Sequence, residues 1–212
     1  MGIIFLIRHG ETDWHVENRI LGRRDISLNQ RGWEQARLLE KRFAEEKLTS
    51  LYSSPLKRCR DTINPLASLL GKKPEIVPDL TEIDFGEWDG QLVKEIISNE
   101  SERFKKWLAR PGTAHIPGGE RLEDVKTRVA RGMNEIIGRH SPEDNLLVVA
   151  HGGPIRMVFC IVLSLDIDRI MRIEVDLASV TAVKFFGDTI EHKVSAFCLN
   201  DTAHLGSPMS GR

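Results

Sequence analysis

The sequence predicts a three-layer α/β/α domain, doubly wound around a mostly parallel sheet. Three observations predict it. The run Ile3-Ile4-Phe5-Leu6-Ile7 is unbroken, apolar and rich in β-branched residues, as a strand covered on both faces must be. A second run of the same kind, Leu146-Leu147-Val148-Val149-Ala150, lies far along the chain. Between and after these runs, short strand-like segments alternate with stretches of helical periodicity, the pattern of right-handed crossovers onto a parallel sheet.

Taken in order, the first run stops at Arg8-His9-Gly10 and gives way to a polar loop over 11–30. A helix is predicted over 31–46, because Trp33, Ala36, Leu39 and Phe43 share one face and charges fill the other. A short strand over 48–53 ends in Ser53-Ser54-Pro55, which reads as a serine cap and a first-turn proline. The helix it starts should run to Leu70, with Gly71 closing it. Ile76-Val77 reads as a third strand. Residues 80–90 carry glycines, acids and aromatics together and read as an ordered loop. Two helical stretches follow, over 92–99 and 101–109, then a Pro/Gly-rich loop over 111–119. A helix over 122–138 has Val125, Val129, Met133 and Ile136 on one face. After the second strand run comes an almost wholly apolar helix over 154–163, then two strands over 182–186 and 193–197. One domain over 1–202 is expected, with residues 84–120 an excursion over its site and 203–212 a flexible tail.

Composition limits the partners. The chain has 212 residues, 41% of them hydrophobic, and a net charge of −1. Nothing in that balance asks for nucleic acid or an anionic membrane. The apolar run over 157–163 is too short to span a bilayer, and the N-terminal run lacks a basic flank. Three cysteines, Cys59, Cys160 and Cys198, lack metal-type spacing and fit a reducing, cytoplasmic setting.

Both long apolar runs end in His-Gly, the second as His151-Gly152-Gly153. In open α/β sheets, ligands lie beyond the carboxyl ends of the strands. Two histidines at two such ends can therefore meet. Together with Arg8, Arg58 and Glu82 they would form a cationic pocket with one acid, suited to a phosphate dianion. A neutral imidazole is a competent nucleophile near neutrality and can carry a phosphoryl group.

At this point the chain resembles the histidine phosphatase superfamily, in its phosphoglycerate mutase-like branch. The resemblance rests on five segments in order: Leu6-Ile7-Arg8-His9-Gly10-Glu11-Thr12, Ser53-Ser54-Pro55-Leu56-Lys57-Arg58, Thr81-Glu82-Ile83-Asp84-Phe85-Gly86, Pro117-Gly118-Gly119-Glu120 and Ala150-His151-Gly152-Gly153-Pro154. It implies a phosphoglycerate mutase-like fold and a phosphomonoesterase needing no metal or other cofactor. By the same resemblance His9 is the phosphorylated nucleophile, Arg8 and Arg58 hold phosphate oxygens, and His151 donates to the transferring group. Glu82 is the proton donor to the leaving alkoxide. The chain departs from the pattern at His15, where the family often has asparagine; His15 or the nearby Asn18 would replace that phosphate ligand. Gly152 and Arg23 complete the expected substrate contacts; the pair Arg23-Arg24 is either solvated or the holder of a second anionic group on the substrate.

The wording from Phe85 to Gly90 is similar to that of the phosphatases, α-ribazole phosphatases among them. The alternatives are a cofactor-dependent phosphoglycerate mutase, a metal-dependent hydrolase using His9, His15 and His151, and a non-catalytic phosphate-binding protein. A mutase is disfavoured by the short 91–116 segment, and a metal site by the two arginines. The partner expected is a small phosphorylated substrate, acted on by a monomer or homodimer.

Overall fold

A computed structural model of the chain describes residues 1–192 and 194–206. Six strands form one sheet in the order β3-β2-β4-β1-β5-β6. They are β1 (Gly2–Arg8), β2 (Ser50–Ser53), β3 (Glu75–Ile76), β4 (Leu146–Ala150), β5 (Val180–Phe185) and β6 (Val194–Asp201). β1 pairs in parallel with β4, β4 with β2 and β2 with β3. The last two strands run antiparallel, β5 against β1 and β6 against β5. The two parallel runs recognised in the sequence are thus neighbours at the sheet's centre, and both His-Gly ends emerge side by side.

The layers follow from the alternation of side chains along β4. Leu146, Val148 and Ala150 face one core with α5 (Leu122–Ile137) and α6 (Gly152–Val162). Leu147 and Val149 face the other, with α2 (Gln30–Phe43) and α3 (Lys57–Leu70). All five β4 residues are buried, and covering a large aliphatic side chain stabilises by roughly 1.5–3 kcal/mol. A continuous apolar run is what such a two-faced strand requires.

Several element ends differ from the sequence reading, each for a local reason. α3 starts at Lys57 behind Leu56, not at the serine and proline before it, because Ser54 is turned to a histidine instead. α6 starts at Gly152, two residues early, directly after His151. α2 ends at Phe43 and β3 covers Glu75–Ile76. The two helical stretches near residue 100 form one element, α4 (Val93–Ala109), broken by non-helical Glu100. A four-residue helix, α1 (Asp13–Val16), stands in the loop read as irregular. β5 starts at Val180 and β6 continues to Asp201, while Lys193 lies outside the described residues. The expected tail begins with a docked turn, Ala203–Leu205: Leu205 packs on the α2–α3 core and His204 lies 2.9 Å from the Arg42 guanidinium. Its remainder, 207–212, lies outside the described residues.

The excursion has a small core of its own, Trp88, Ile96, Trp107 and Ile116. The Phe85 ring meets Trp107 edge-on at 5.7 Å. Among the described residues no helix is long and apolar enough to cross a membrane.

Candidate active site

The end of β1 carries Arg8 and His9. The turn after it is pressed against the start of α2, where the carbonyl of Gly32 would lie 2.8 Å from any Cβ at Gly10. Gly10 is needed for this close approach; its φ is not in the left-handed region. The amide of Gly10 donates to Thr62 Oγ1 on α3 at 2.9 Å. The Gly10 carbonyl lies 2.8 Å from His9 Nδ1. A carbonyl only accepts, so Nδ1 carries the ring hydrogen and Nε2 keeps its lone pair.

That lone pair faces Arg58. Arg58 Nε lies 3.2 Å from His9 Nε2 and 3.2 Å from His151 Nδ1, sharing one hydrogen between the two rings. The rest of the guanidinium is committed to protein: Nη1 donates to the Arg24 carbonyl at 2.8 Å and Nη2 to the Gly22 carbonyl at 2.7 Å. Arg58 therefore presents Nε to the site while its two Nη groups hold the 22–24 loop. Because Nδ1 of His151 accepts, its Nε2 carries the hydrogen and donates to Ser54 Oγ at 2.7 Å. The two imidazoles stand 5.1 Å apart, centroid to centroid.

Arg8 is anchored through Nη1 to the Val175 carbonyl at 2.7 Å. Its Nη2 lies 3.3 Å from His15 Nε2. His15 Nδ1 accepts from the Thr12 amide at 3.2 Å and lies 2.8 Å from Thr12 Oγ1, so in the neutral ring Nε2 carries the hydrogen. The ring therefore keeps its Nε2 hydrogen beside Arg8 and stands 5.4 Å from the His9 ring, centroid to centroid. Arg8 Nε is buried and, among the described residues, has no hydrogen-bond partner. It lies 3.6 Å from the place a Cβ on Gly152 would occupy. A buried, unsatisfied cationic donor beside the start of α6 is where an anion belongs.

Electrostatics agree. Burial, then Arg58 and the other cations, hold His9 well below the ordinary histidine range. Burial, then Arg58 and Arg8, do the same to His151. Burial and Arg8 push His15 down to about 3. Burial, then Arg156, lower Arg8 to about 10. The histidines are thus neutral near pH 7 while both arginines stay charged.

Glu82 is buried and caps α6. Its Oε1 accepts from the Gly153 amide at 3.1 Å and from the Ile83 amide at 2.9 Å. A Cβ on Gly153 would lie 2.3 Å from that oxygen, so only glycine admits the carboxylate here. Beside Glu82 and Gly153 opens a cavity of about 70 Å³, walled by Ile83, Phe85, Trp107 and Met171 with Arg156 at one side.

Five of the expected residues, Arg8, His9, Arg58, Glu82 and His151, thus surround one place, with Gly152 beside Arg8. Arg23 ion-pairs with Glu120 at 3.2 Å, and its Nε lies 3.5 Å from the Glu82 carbonyl. It is a brace on the acid's backbone. Asn18 is exposed, with φ 56°, and turns the chain after α1 through backbone bonds to His15 and Val93. The structure does not bring it into the cluster. Sequence reasoning missed Ser54, Gly153, Thr62 and Arg156. The second glycine after His151 was a visible signal; Ser54 was misread as a helix cap. Cys59, beside Arg58, is buried and its thiol is pushed up by burial, so it is no thiolate.

The model of the histidine phosphatase superfamily (branch 1) matches residues 4–196. Phosphoserine phosphatase 1 of Hydrogenobacter thermophilus is 34% identical over 205 residues, covering 96% of this chain and 94% of that protein. The solved structure of Bacillus stearothermophilus YhfR superposes with a TM-score of 0.87 at 27% identity, covering 97% of this chain and all of that one. The α-ribazole phosphatase of Shigella flexneri shares the fold, with a TM-score of 0.82 at 23% identity over 94% of this chain and 96% of that one. A sheet whose paired His-Gly ends meet Arg8 and the buried Arg58 fits a phosphate-handling enzyme of α/β type. This chain belongs to the histidine phosphatase superfamily, branch 1, and is a phosphomonoesterase.

Proposed function

We propose that the chain hydrolyses small alkyl phosphates through a phosphohistidine on His9, with phosphoserine-like esters first among them. The observation that carries this reading is the aimed lone pair of His9 Nε2, with the ring fixed by the Gly10 carbonyl. The phosphoryl group enters between the histidines, against Arg8 Nε and the Arg58 Nε hydrogen. His9 Nε2 attacks phosphorus as the ester P–O bond breaks. Glu82 gives its proton to the leaving oxygen. Water then attacks the phosphohistidine, the Glu82 carboxylate takes its proton, and phosphate leaves with His9 restored. Most of the work is charge stabilisation by fixed donors, as phosphoryl transfer requires.

His151 has a further part. With the phosphoryl group in place, its Nδ1 loses the Arg58 hydrogen and faces anionic oxygen. It donates there only by taking up a proton, with Ser54 accepting from the other nitrogen. A dianion beside the ring favours that charged form.

The leaving group points from Glu82 toward the adjoining cavity, whose size suits a short alcohol. For scale, a cavity of about 150 Å³ can hold a benzene. The 34% identical phosphoserine phosphatase supports a hydroxy-amino acid ester; the α-ribazole phosphatase supports the fold alone. A metal bridging His9 and His151 would have to displace a guanidinium nitrogen already 3.2 Å from each. Three unpaired cysteines support a reducing, cytoplasmic setting, and the chain acts as a monomer or homodimer.

The test is a brief mixing of enzyme with phosphoserine, α-ribazole phosphate or 3-phosphoglycerate, quenched in alkali, which spares phosphohistidine. Phosphate on His9, and free inorganic phosphate as product, are expected with phosphoserine. Wild-type turnover by His9→Ala would remove the nucleophile, and transfer of phosphate to a second substrate oxygen would make the enzyme a mutase.

A further inference from the structure

Arg128 stands on α5, outside the reacting cluster, yet both Nη groups of its guanidinium reach the segment that carries Glu82. Nη1 donates to the Asp79 carbonyl at 2.7 Å and to the Thr81 carbonyl at 2.6 Å. Nη2 donates to the Glu82 carbonyl at 3.3 Å. Nε and Nη2 also grip the Glu120 carboxylate, at 2.7 and 2.9 Å. Both side chains are nearly buried, at 11% and 13% exposure. Burial alone would raise the Glu120 carboxyl, but the Arg128 hydrogen bonds and charge, with Arg23, hold it below the ordinary range. Glu120 is therefore ionised and the clamp is a charged one.

The segment needs such a clamp. It leaves the short turn Pro78–Leu80 and joins no strand, so its inward carbonyls lack a ladder to bond to. One planar fork satisfies three of them at once and ties them to the Pro117–Glu120 loop. The Glu120 amide in turn donates to the Asp84 carbonyl at 2.9 Å, beyond Glu82. The backbone before the acid is thus held by Arg128 and the backbone after it by the amide of the Glu120 that Arg128 grips, while the Glu82 side chain reaches Gly153. An ammonium group, a single point with three donors, cannot span these acceptors.

We infer that Arg128, through Glu120, is a positioning residue that sets the place of the Glu82 carboxyl and so the acid step. This rests on the assignment of Glu82 as proton donor. It predicts a signature that simple destabilisation lacks. A displaced acid hurts esters with poor leaving groups and spares those that leave unaided. An error of about 1 Å in a reacting group can cost about a hundredfold.

The experiment measures kcat/KM for an alkyl phosphate and for nitrophenyl phosphate in Arg128→Lys, Glu120→Gln, Glu82→Gln and the Arg128→Lys/Glu82→Gln double variant. Arg128→Lys should lose at least about tenfold more on the alkyl ester than on nitrophenyl phosphate, and Glu120→Gln should lose in the same sense. In the double variant Arg128→Lys should add no further leaving-group dependence. If Arg128→Lys does not fold, Glu120→Gln carries the same test. Equal losses on the two esters in Arg128→Lys or Glu120→Gln, with Glu82→Gln still selective, would overturn the positioning role and leave the acid assignment standing. Equal losses in Glu82→Gln itself would overturn both.

Discussion

Replacing Gly153 by alanine adds one methyl group at the point where α6 meets the acid. That methyl carbon would stand 2.3 Å from Glu82 Oε1 and 2.7 Å from two carbons of Ile83. Ordinary contact starts at 3.4 Å, so the carboxylate must retreat by about 1 Å. The atoms in the way are side-chain ends, so the fold can yield without breaking. Alanine also favours a helix over glycine by up to about 1 kcal/mol, which offsets part of the lost capping contact. We expect Gly153→Ala to melt within a few degrees of wild type. Its kcat/KM on an alkyl phosphate should fall about 10²-fold or more, while nitrophenyl phosphate loses much less. The neighbouring change is the control. At Gly152 the added carbon would meet Arg156 Nη1 at 3.1 Å and Arg8 Nε at 3.6 Å, a far milder crowding. The added carbon sits beside the phosphate donors and not the acid, so Gly152→Ala should affect both esters alike. Steady-state rates and thermal melts on the two variants suffice. Wild-type turnover of the alkyl ester by Gly153→Ala would refute the placement of the acid at the start of α6.

Two further outcomes follow from the buried histidines. Titrating inorganic phosphate by calorimetry at about pH 8, where it is a dianion, in buffers of different ionisation enthalpy should show uptake of up to about one proton. His151→Asn should abolish it, and a binding heat independent of buffer would refute the protonation of His151. Acid should also unfold the free protein early. His15 is held down to about 3 when folded and titrates near 6.5 when unfolded. The unfolded chain then binds the extra proton, so this contribution is whole above pH 6.5 and falls away between 6.5 and about 3. At pH 5 it has lost about 2 kcal/mol. In His15→Asn, urea stability should therefore fall less steeply between those pH values, by about one proton's worth of slope. An unchanged slope would place the ring in water.

The parts of the site written as backbone were legible in the sequence. Two apolar runs ending in His-Gly had to be central strands, because only a strand covered on both faces is apolar throughout. Their pairing in parallel brought His9 and His151 together. The individual donors were not legible. Arg58 was expected at the phosphate, but nothing in the sequence says that its Nη groups hold the Gly22 and Arg24 carbonyls. Ser54 was read as a cap from its place before Pro55, a local rule overridden by His151 across the sheet. Asn18 and His15 were equal candidates for one missing ligand. Only a tertiary contact with Arg8 separates them, and no spacing rule records where a guanidinium from another element ends. Arg128 was invisible for the same reason. An arginine on a helix of alternating charge looks like a solvated one until the carbonyls opposite it are known.

The resting hydrogen bonds explain why a site so rich in cations can stay buried without its anion. Two arginines and three imidazoles could not all be charged here, and burial resolves this by keeping the imidazoles neutral. Two neutral rings then serve as acceptors for one arginine, His9 and His151 for Arg58 Nε. On the proposed mechanism the lone pair of His9 Nε2 is thereby occupied until a phosphoryl oxygen takes the Arg58 hydrogen. That exchange would free Nε2 of His9 as its target arrives, and the same oxygen would give His151 reason to accept a proton. Arg8 Nε alone stands without a partner among the described residues. Its desolvation is a standing cost, on the order of 1–3 kcal/mol for a lost hydrogen bond and more for a charged group. A bound anion repays it, so the free protein is less stable than its phosphate complex by the linkage of binding to folding.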